Sequence, residues 1–394
     1  MGRTLVVTND FPPQQGGIEN YVYQLVRRLP PDQVVVFASS FPGAEAFDAE
    51  QPFPVVRARA KVLLPQPHIV RGAERLIKRF RCDTVYFGAA ASLGLMAQHL
   101  RQVTSAKRLV GSSHSHECYW TKAPPTRAAI RSIAAGLDHL TYISAYCGAV
   151  LRRALPPELG ARLVRLSPGV DPAPFRSADG SGVRQRFGLG DRPVILSVSR
   201  LVPAKGQDSL IRALPTVLEA LPRARLLLVG DGARRDYLER LAVRLGVSDA
   251  VHLVGGIPHG DVADYYAAGD VFAFPARDRT AGLQVEGLGQ VSLEAAAAGL
   301  PVIVGDSGGA PETVLNGRTG YVVKALETGA LAGRLIELLA DRNRAAAMGE
   351  AGRDWMSQQW TWDQRARILR RLLAGDPPSD PVDDAPSGVA SFRD

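Results

Sequence analysis

Short runs of Val, Ile and Leu recur along the chain, separated by amphipathic stretches. In the first half the apolar runs lie at 4–8, 33–37, 84–88, 107–112, 139–143 and 162–166. Apolar positions at three- and four-residue spacing predict helices between them, near 17–29, 68–81, 124–135 and 145–154. The second half repeats the alternation, with strands near 193–198, 225–229, 250–254, 271–274, 301–304 and 320–323. Its helices are expected near 207–220, 233–245, 291–298 and 328–340. Strands alternating with helices predict α/β architecture with parallel, doubly wound sheets. The repetition is one of architecture; no short-period sequence repeat accompanies it.

A length of 394 residues suits two domains better than one core. Ser167-Pro168-Gly169-Val170-Asp171-Pro172-Ala173-Pro174-Phe175 marks the boundary, because its prolines and glycine stop both neighbouring elements. Residues 177–182 are also loop-like. The expected layout is a first domain at 1–168, a second at 169–358 and a C-terminal helix at 359–374 crossing back to the first. Residues 375–394, with four Pro, five Asp and little apolar content, are expected to be a disordered tail. Two open sheets joined by a linker are expected to face each other across a cleft and to close by hinge motion. Ligands of such sheets bind beyond the carboxyl ends of the strands.

Hydrophobic residues make up 46% and charged residues 22%, which excludes a disordered or fibrous chain. The uncharged stretch Thr84–Leu100 is 17 residues long and is broken by Gly88, Gly94, Gln98 and His99, too short and polar for a membrane span. The strand-like run beginning at Leu5 predicts that no signal peptide precedes it. Cys82, Cys118 and Cys147 have neither metal spacing nor an even count, so a reduced, cytosolic protein is expected. The formal charge of +8 is uneven: residues 1–170 carry 21 Lys and Arg against 11 Asp and Glu. A basic first half is expected to meet something acidic, whether nucleic acid, anionic lipid or a phosphorylated substrate; solubility alone is the plainer account. Its densest segment holds Arg71, Arg75, Lys78, Arg79 and Arg81 beside Leu76, Ile77 and Phe80. On a helix this segment would rest on an anionic bilayer with its cations toward the headgroups. The alternative is that its apolar face packs on the sheet.

Polar residues with chemical potential gather just past the predicted strands. Asp10-Phe11-Pro12-Pro13-Gln14-Gln15-Gly16-Gly17-Ile18-Glu19 follows the first strand. Paired glycines opening a helix admit a ligand to the backbone, whose free amides favour an anion. A tight turn is the plainer reading, since the three-glycine dinucleotide fingerprint is absent. Ser199-Arg200-Leu201-Val202-Pro203-Ala204-Lys205-Gly206 follows the apolar run 194–198. Arg200 as a planar fork and Lys205 as a point charge can clamp a diphosphate, unless both are merely solvated. Gly282-Leu283-Gln284-Val285-Glu286-Gly287-Leu288-Gly289-Gln290-Val291-Ser292-Leu293-Glu294 sets two carboxylates about a glycine turn whose amides can donate to phosphate. Glu294 falls among Leu293 and Ala295–Ala298, where a carboxylate needs polar partners such as sugar hydroxyls. Gly230-Asp231-Gly232 and Gly305-Asp306-Ser307-Gly308-Gly309-Ala310-Pro311-Glu312 occupy similar strand ends. Ser112-Ser113-His114-Ser115-His116-Glu117 ends a strand of the first half. Its histidines lack the companions of a zinc site, and one that bonds a substrate hydroxyl is the preferred reading.

Taken in order, these motifs resemble the retaining glycosyltransferases of family 4, which have the GT-B fold. The resemblance spans about residues 3–373 and rests on Gly16-Gly17, Pro168-Gly169-Val170-Asp171 with Phe175, Ser199-Arg200 with Lys205-Gly206, and Glu286 with Glu294. Thr8-Asn9-Asp10-Phe11-Pro12-Pro13, Phe87-Gly88-Ala89-Ala90-Ala91, Arg200-Leu201-Val202-Pro203, Val285-Glu286-Gly287-Leu288-Gly289 and Gly308-Gly309-Ala310-Pro311-Glu312-Thr313-Val314 are further similar to the actinobacterial phosphatidylinositol monomannoside mannosyltransferases. Those enzymes use GDP-mannose and add the second α-mannose at the inositol 6-position of a membrane lipid. Two positions depart from that pattern: Ser115 stands for a glycine and Gln290 for an isoleucine. Cys118-Tyr119-Trp120 also differs.

The resemblance implies two Rossmann-like parallel-sheet domains and a retaining α-mannosyltransferase acting on a phosphatidylinositol mannoside. Arg200 and Lys205 would hold the donor diphosphate, Glu286 the hexose hydroxyls and Glu294 the ribose. Main-chain groups of Leu288, Gly289, Gln290 and Val291 would touch sugar and phosphate, with Gly16, Gly17, Gly230 and Asp231 also on the donor side. Asp10, Gly16, Glu19, His114 and His116 would meet the acceptor, His114 taking part in catalysis. No metal and no cofactor is implied beyond the nucleotide sugar as co-substrate. The implied partners are that donor, a phosphoinositide glycolipid and an anionic membrane surface, with no nucleic acid. The implied location is the cytoplasm, peripheral at the inner face of the plasma membrane. A nicotinamide oxidoreductase lacks support, because its glycine fingerprint and distal acid are missing. The alternative is another family 4 enzyme with a different nucleotide sugar or soluble acceptor, or a nucleotide-sugar epimerase.

Overall fold

The computed structural model describes residues 2–279 and 284–376. Its strands are β1 (Arg3–Thr8), β2 (Val34–Ala38), β3 (Val55–Arg57), β4 (Cys82–Phe87), β5 (Arg108–Ser113), β6 (His139–Tyr142), β7 (Leu163–Arg165), β8 (Val194–Val198), β9 (Arg225–Val229), β10 (Val251–Gly255), β11 (Val271–Phe274), β12 (Val302–Gly305) and β13 (Gly320–Val323). They form two sheets, in the orders β3-β2-β1-β4-β5-β6-β7 and β10-β9-β8-β11-β12-β13. Their pairings are parallel. Leu5-Val6-Val7, Val34-Val35-Val36 and Leu226-Leu227-Leu228 are all buried, as a parallel sheet covered by helices on both faces demands. In each sheet the winding reverses once, between β1 and β4 in the first and between β8 and β11 in the second. Such reversals open a crevice past the strand ends, and there the functional residues belong.

The chain divides into two compact units. One runs to Gly169 and takes in the helix Trp362–Ala374; the other is Val170–Thr361. The core of the second unit joins β8, β9 and β11 to the helices Gln207–Ala220 and Thr328–Ala340 through Ile195, Leu210, Leu214, Leu228, Ala273 and Leu335. In the first unit, Trp362 is 3% exposed and meets Tyr21 edge-on at 5.9 Å. Arg28 Nε donates to Asp363 Oδ1 at 2.7 Å, further joining this helix to Gly17–Val26.

The structure departs from the sequence expectations in a few places. β3 went unpredicted because it is three half-buried residues between Pro54 and a turn. The helix expected over 359–374 starts at Trp362, after a separate helix Arg342–Gln359. Part of the expected 177–182 loop is helical, since Ser181–Arg186 forms a short helix. The tail expected over 375–394 lies outside the described residues beyond Asp376. The basic helix Pro67–Phe80 buries Ile69, Ala73, Leu76 and Ile77. Its apolar face therefore packs into the unit, and Leu76 and Ile77 are not available to a bilayer; Arg71, Arg75, Lys78 and Arg79 stay exposed. No described helix is long and apolar enough to cross a membrane.

Truncating Trp362 removes its buried contact with Tyr21 and leaves a cavity beside it. Trp362→Ala is expected to destabilise the first unit by about 3–5 kcal/mol, read from urea unfolding. A loss under about 1 kcal/mol would mean that the helix contributes little to that core.

Candidate active site

In the second unit, β8 leads into the turn Ser199–Gly206 and then the helix Gln207–Ala220. Gly206 is left-handed (φ 78), and a Cβ there would collide with Pro275 O, so glycine lets this turn lie against the end of β11. Lys205 Nζ donates to Glu286 Oε2 at 2.5 Å and stands 5.2 Å from the Phe274 ring centroid. Arg200 is exposed. Its carbonyl accepts from Gln207 Nε2 at 2.9 Å, and the same amide donates to Ser199 Oγ at 2.8 Å. A cation and a carboxylate 81 positions apart thus meet at the switch point of the second sheet.

The backbone of Glu286 is fixed at both ends. Its N–H donates to Ser307 Oγ at 3.0 Å, and its C=O accepts from Gly309 N–H at 3.0 Å. Gly289 then opens the helix Gln290–Ala297. Glu294, 8% exposed, accepts from Tyr266 Oη at 3.0 Å and from Gln290 Nε2 at 3.4 Å. Burial, with the Glu294 charge beside it, holds the Tyr266 hydroxyl well above its ordinary range, so it stays a donor. Leu288 is 2% exposed, which leaves its main chain rather than its side chain for a ligand; Gln290 and Val291 are half-buried. A Cβ on Gly230 would collide with Ser199 O, so this glycine lets the β9 turn pack beneath the Arg200 turn. Asp231 is exposed, and its Oδ1 accepts from Gly232 N–H at 2.7 Å. Gly282 and Leu283 of the predicted cluster lie outside the described residues.

In the first unit, Asp10 follows β1, and Glu19 sits 7% exposed in the first turn of Gly17–Val26. Burial, and then the Glu19 charge, push the Asp10 carboxyl up from 3.8 to about 6. Gly16 is extended, and a Cβ on it would press on the Glu19 carboxylate; one on Gly17 would meet nothing within 4 Å. His114 follows β5 and is 5% exposed, packed edge-on against Tyr21 at 4.9 Å. Its Nε2–H donates to Gly88 O at 2.9 Å, a carbonyl that can only accept, which leaves Nδ1 as an acceptor. Burial pushes its pKa down to about 4, so the ring is neutral near pH 7. The histidine expected to bond a substrate hydroxyl is buried, with one nitrogen engaged by Gly88 and the other able to accept. His116 is exposed and faces Tyr119 edge-on at 6.5 Å.

Two groups escaped the sequence reading. Glu117 accepts from Ala91 N–H at 3.1 Å and from His114 N–H at 2.9 Å, so one carboxylate fastens the turns after β4 and β5. Burial drives it up to about 7, against the pull of those two amides. Arg57 on β3 donates to Pro12 O at 2.5 Å and to Ser39 O at 3.0 Å, bracing the Asp10 turn. Each joins elements that only the fold brings close: Glu117 to Ala91, and Arg57 to Pro12 and Ser39. Among the described residues no cluster of three or more His, Cys, Asp or Glu could hold a metal ion.

The fold is shared with solved glycosyltransferase-type structures; sucrose-phosphate synthase of Thermosynechococcus elongatus superposes with a TM-score of 0.76 at 23% identity, covering 95% of this chain and all of that one. Residues 15–174 match Glycosyltransferase Family 4, and residues 183–355 match Glycosyl transferases group 1. Fold and family matches together define a glycosyltransferase of the two-sheet GT-B class. The chain is 44% identical over 384 residues to the GDP-mannose-dependent alpha-(1-6)-phosphatidylinositol monomannoside mannosyltransferase of Mycobacterium tuberculosis, covering 95% of this chain and 99% of that protein. It is also 44% identical over 383 residues to the GDP-mannose-dependent monoacylated alpha-(1-6)-phosphatidylinositol monomannoside mannosyltransferase of Corynebacterium glutamicum, covering 95% and 98%. It belongs to the family of these mannosyltransferases, within the family 4 glycosyltransferases.

The Asp10 shift makes a signed prediction. A carboxyl raised from 3.8 to about 6 is easier to protonate in the folded chain, so its ionisation lowers stability as pH rises between those values. Above pH 6 the full cost persists. Asp10→Asn removes it and is expected to melt higher than the parent at pH 8, with the gain shrinking toward pH 4. A gain that is equal at both pH values would contradict the raised carboxyl.

Proposed function

We propose that the chain transfers α-mannose from GDP-mannose to a phosphatidylinositol mannoside, at inositol O6, with retention of configuration. The observation that carries this reading is the Lys205–Glu286 pair at the switch point of the second sheet, a cation for a diphosphate beside a carboxylate for a sugar. The activities named for relatives 44% identical along nearly the whole chain support the donor and acceptor. Arg200 and Lys205 take up the charge that develops on the departing diphosphate, where preorganised cations act most strongly. Glu286 binds mannose hydroxyls and Glu294 the ribose, with main-chain groups of Leu288–Val291 beside them. Gly230 shapes the floor under Arg200, and Asp231 stands at the rim. The bond from the anomeric carbon to the phosphate oxygen breaks, and a bond to the acceptor oxygen forms on the same face. The acceptor proton passes to the leaving phosphate, so no enzyme nucleophile is required. His114, neutral and with Nδ1 free to accept, takes a hydroxyl of the sugar or the acceptor. Asp10, Glu19 and the Gly16–Gly17 amides meet the inositol side, and His116 stands at its edge. The two cations do the electrostatic work for which other transferases use a metal.

A transfer assay over GDP- and UDP-sugars, with and without the mannolipid, tests the reading. GDP-mannose with lipid acceptor should give the fastest turnover and undiminished rates in excess chelator. Lys205→Ala and Glu286→Ala should each lose at least about a hundredfold while remaining folded. Near-parental turnover in either variant, or epimer formation without an acceptor, would refute it.

The same reading puts the enzyme at the inner membrane surface, in the cytoplasm, without nucleic acid as a partner. Support comes from the first unit's positive charge and from the four exposed cations of Pro67–Phe80. Val62 and Leu64, 59% and 44% exposed beside Arg59 and Lys61, supply apolar contact in place of the buried Leu76 and Ile77. Cations near an anionic surface attract it over a Debye length, and salt screens the attraction. The protein should sediment with phosphatidylinositol vesicles, release at high salt, and bind more weakly as the Arg75→Ser, Lys78→Ser, Arg79→Ser triple variant. Equal binding to neutral vesicles would sink the idea.

A further inference from the structure

We propose that Arg277 and Asp278, neighbours past the end of β11, are positioning residues that set the two halves of the Lys205–Glu286 pair. The inference deepens the donor-site reading and rests on it. Arg277 faces the Lys205 turn. Its N–H donates to Ala204 O at 2.9 Å. Its Nη2 reaches both oxygens of Asp208 at 2.8 Å, and its Nη1 reaches Ser209 Oγ at 2.9 Å. Asp208 and Ser209 lie in the first turn of the helix that Gly206 opens, so this fork grips the chain on both sides of Lys205. Arg277 and Asp208 are 6% and 9% exposed. One nitrogen shared between both carboxylate oxygens, with the second held by Ser209, fixes the guanidinium's direction as well as its distance at that burial.

Asp278 faces the other way. Its Oδ1 accepts from Ser307 Oγ at 2.6 Å, which leaves the hydroxyl's lone pairs to receive the Glu286 N–H at 3.0 Å. The carboxylate thereby orients a hydroxyl, and the hydroxyl holds the backbone of Glu286. Ser307 is 1% exposed, so no water competes for it. Adjacent residues therefore control groups that lie 81 positions apart and meet at 2.5 Å. Both act through the residues they hold, Arg277 through the turn that carries Lys205 and Asp278 through Ser307.

Binding of GDP and of GDP-mannose, each titrated calorimetrically into the full chain with melting recorded in parallel, separates the two arms. Asp278→Ala and Ser307→Ala disturb Glu286, the sugar ligand. They should weaken GDP-mannose about tenfold and leave GDP within about twofold. Asp278→Asn keeps an acceptor oxygen for Ser307 and should restore parental binding. Arg277→Lys and the milder Asp208→Asn disturb Lys205, the diphosphate ligand, and should weaken both nucleotides about tenfold. A purely structural role would lower the melting temperature and the binding stoichiometry without separating the two ligands. Equal losses for GDP and GDP-mannose in Asp278→Ala and Ser307→Ala, or parental affinities in every variant, would overturn the inference. Glu286→Ala and Lys205→Ala run beside them. If these controls fail to show sugar-only and two-ligand losses, the donor-site reading falls; if they show them while the others do not, the positioning inference alone falls.

Discussion

Backbone touching backbone is the constraint on which the proposed donor site depends. The reversal of winding opens a crevice past the strand ends, and close contact between particular turns shapes its floor. Here the turn after β8 lies on the turn after β11, where a Cβ on Gly206 would strike Pro275 O. The end of β12 lies on that same turn, where a Cβ on Gly305 would strike Ala276 O. Glycine at both places lets three strand ends converge, and Lys205, Arg277, Asp278, Ser307 and Glu286 become neighbours as a result. Their chemistry follows from the sheet topology, because no two strands adjacent in sequence could bring them together.

The charges at this convergence divide by burial. Arg277 and Asp208 are withdrawn from water at a desolvation cost that pairing must offset; the Nη2 contact with both Asp208 oxygens and the Nη1–Ser209 bond supply part of that pairing, and Nε is buried without a partner among the described residues. Such a pair adds little net stability, but its geometry is hard to replace, which suits a part that sets position. Lys205 and Glu286 are partly exposed and pair with each other. A ligand with a diphosphate and a hydroxylated ring can replace that single contact with several of its own. In the first unit the same division holds differently: burial keeps His114 neutral and lifts Glu117 to about 7, so fixed hydrogen bonds rather than charge organise the turns after β4 and β5.

Much of this was legible in the sequence. Val194–Val198, Arg225–Val229 and Gly320–Val323 are strands that apolar runs with turn residues on either side announce without help. Arg200 and Lys205 stood out past a strand end, Glu286 beside a glycine turn, and Glu294 as a carboxylate among the apolar residues of the helix that the turn opens. What stayed hidden acts over long separations. Glu117 was visible as a letter beside two histidines, but its function is to hold Ala91 N–H, 26 positions away. Arg277 reads as one arginine among many until the fold sets it against Asp208, 69 positions back. The glycines were legible as turns, yet the reason for Gly230 is the carbonyl of Ser199 pressing on it, which no local pattern encodes. The basic helix was read correctly for its charge and wrongly for its apolar side, since periodicity gives the direction of a stripe and not what covers it.

The loop that leads into that helix and the turn after β1 are nevertheless parts of one mechanical piece. Asn9, one residue before Asp10, donates from Nδ2 to Leu63 O at 3.0 Å and accepts Leu63 N–H at Oδ1 at 2.5 Å. An amide that satisfies both polar groups of a single residue fixes that residue's orientation as a strand partner would. Leu63 is fully buried, while Val62 and Leu64 on either side of it point outward among Arg59 and Lys61. The apolar, cation-flanked loop therefore cannot shift without moving the backbone that carries Asp10. A surface pressed on Val62 and Leu64 would bear directly on the turn that carries Asp10. Under the proposed docking to a bilayer, the depth at which this loop settles would set the height at which Asp10 meets the headgroup of the proposed acceptor.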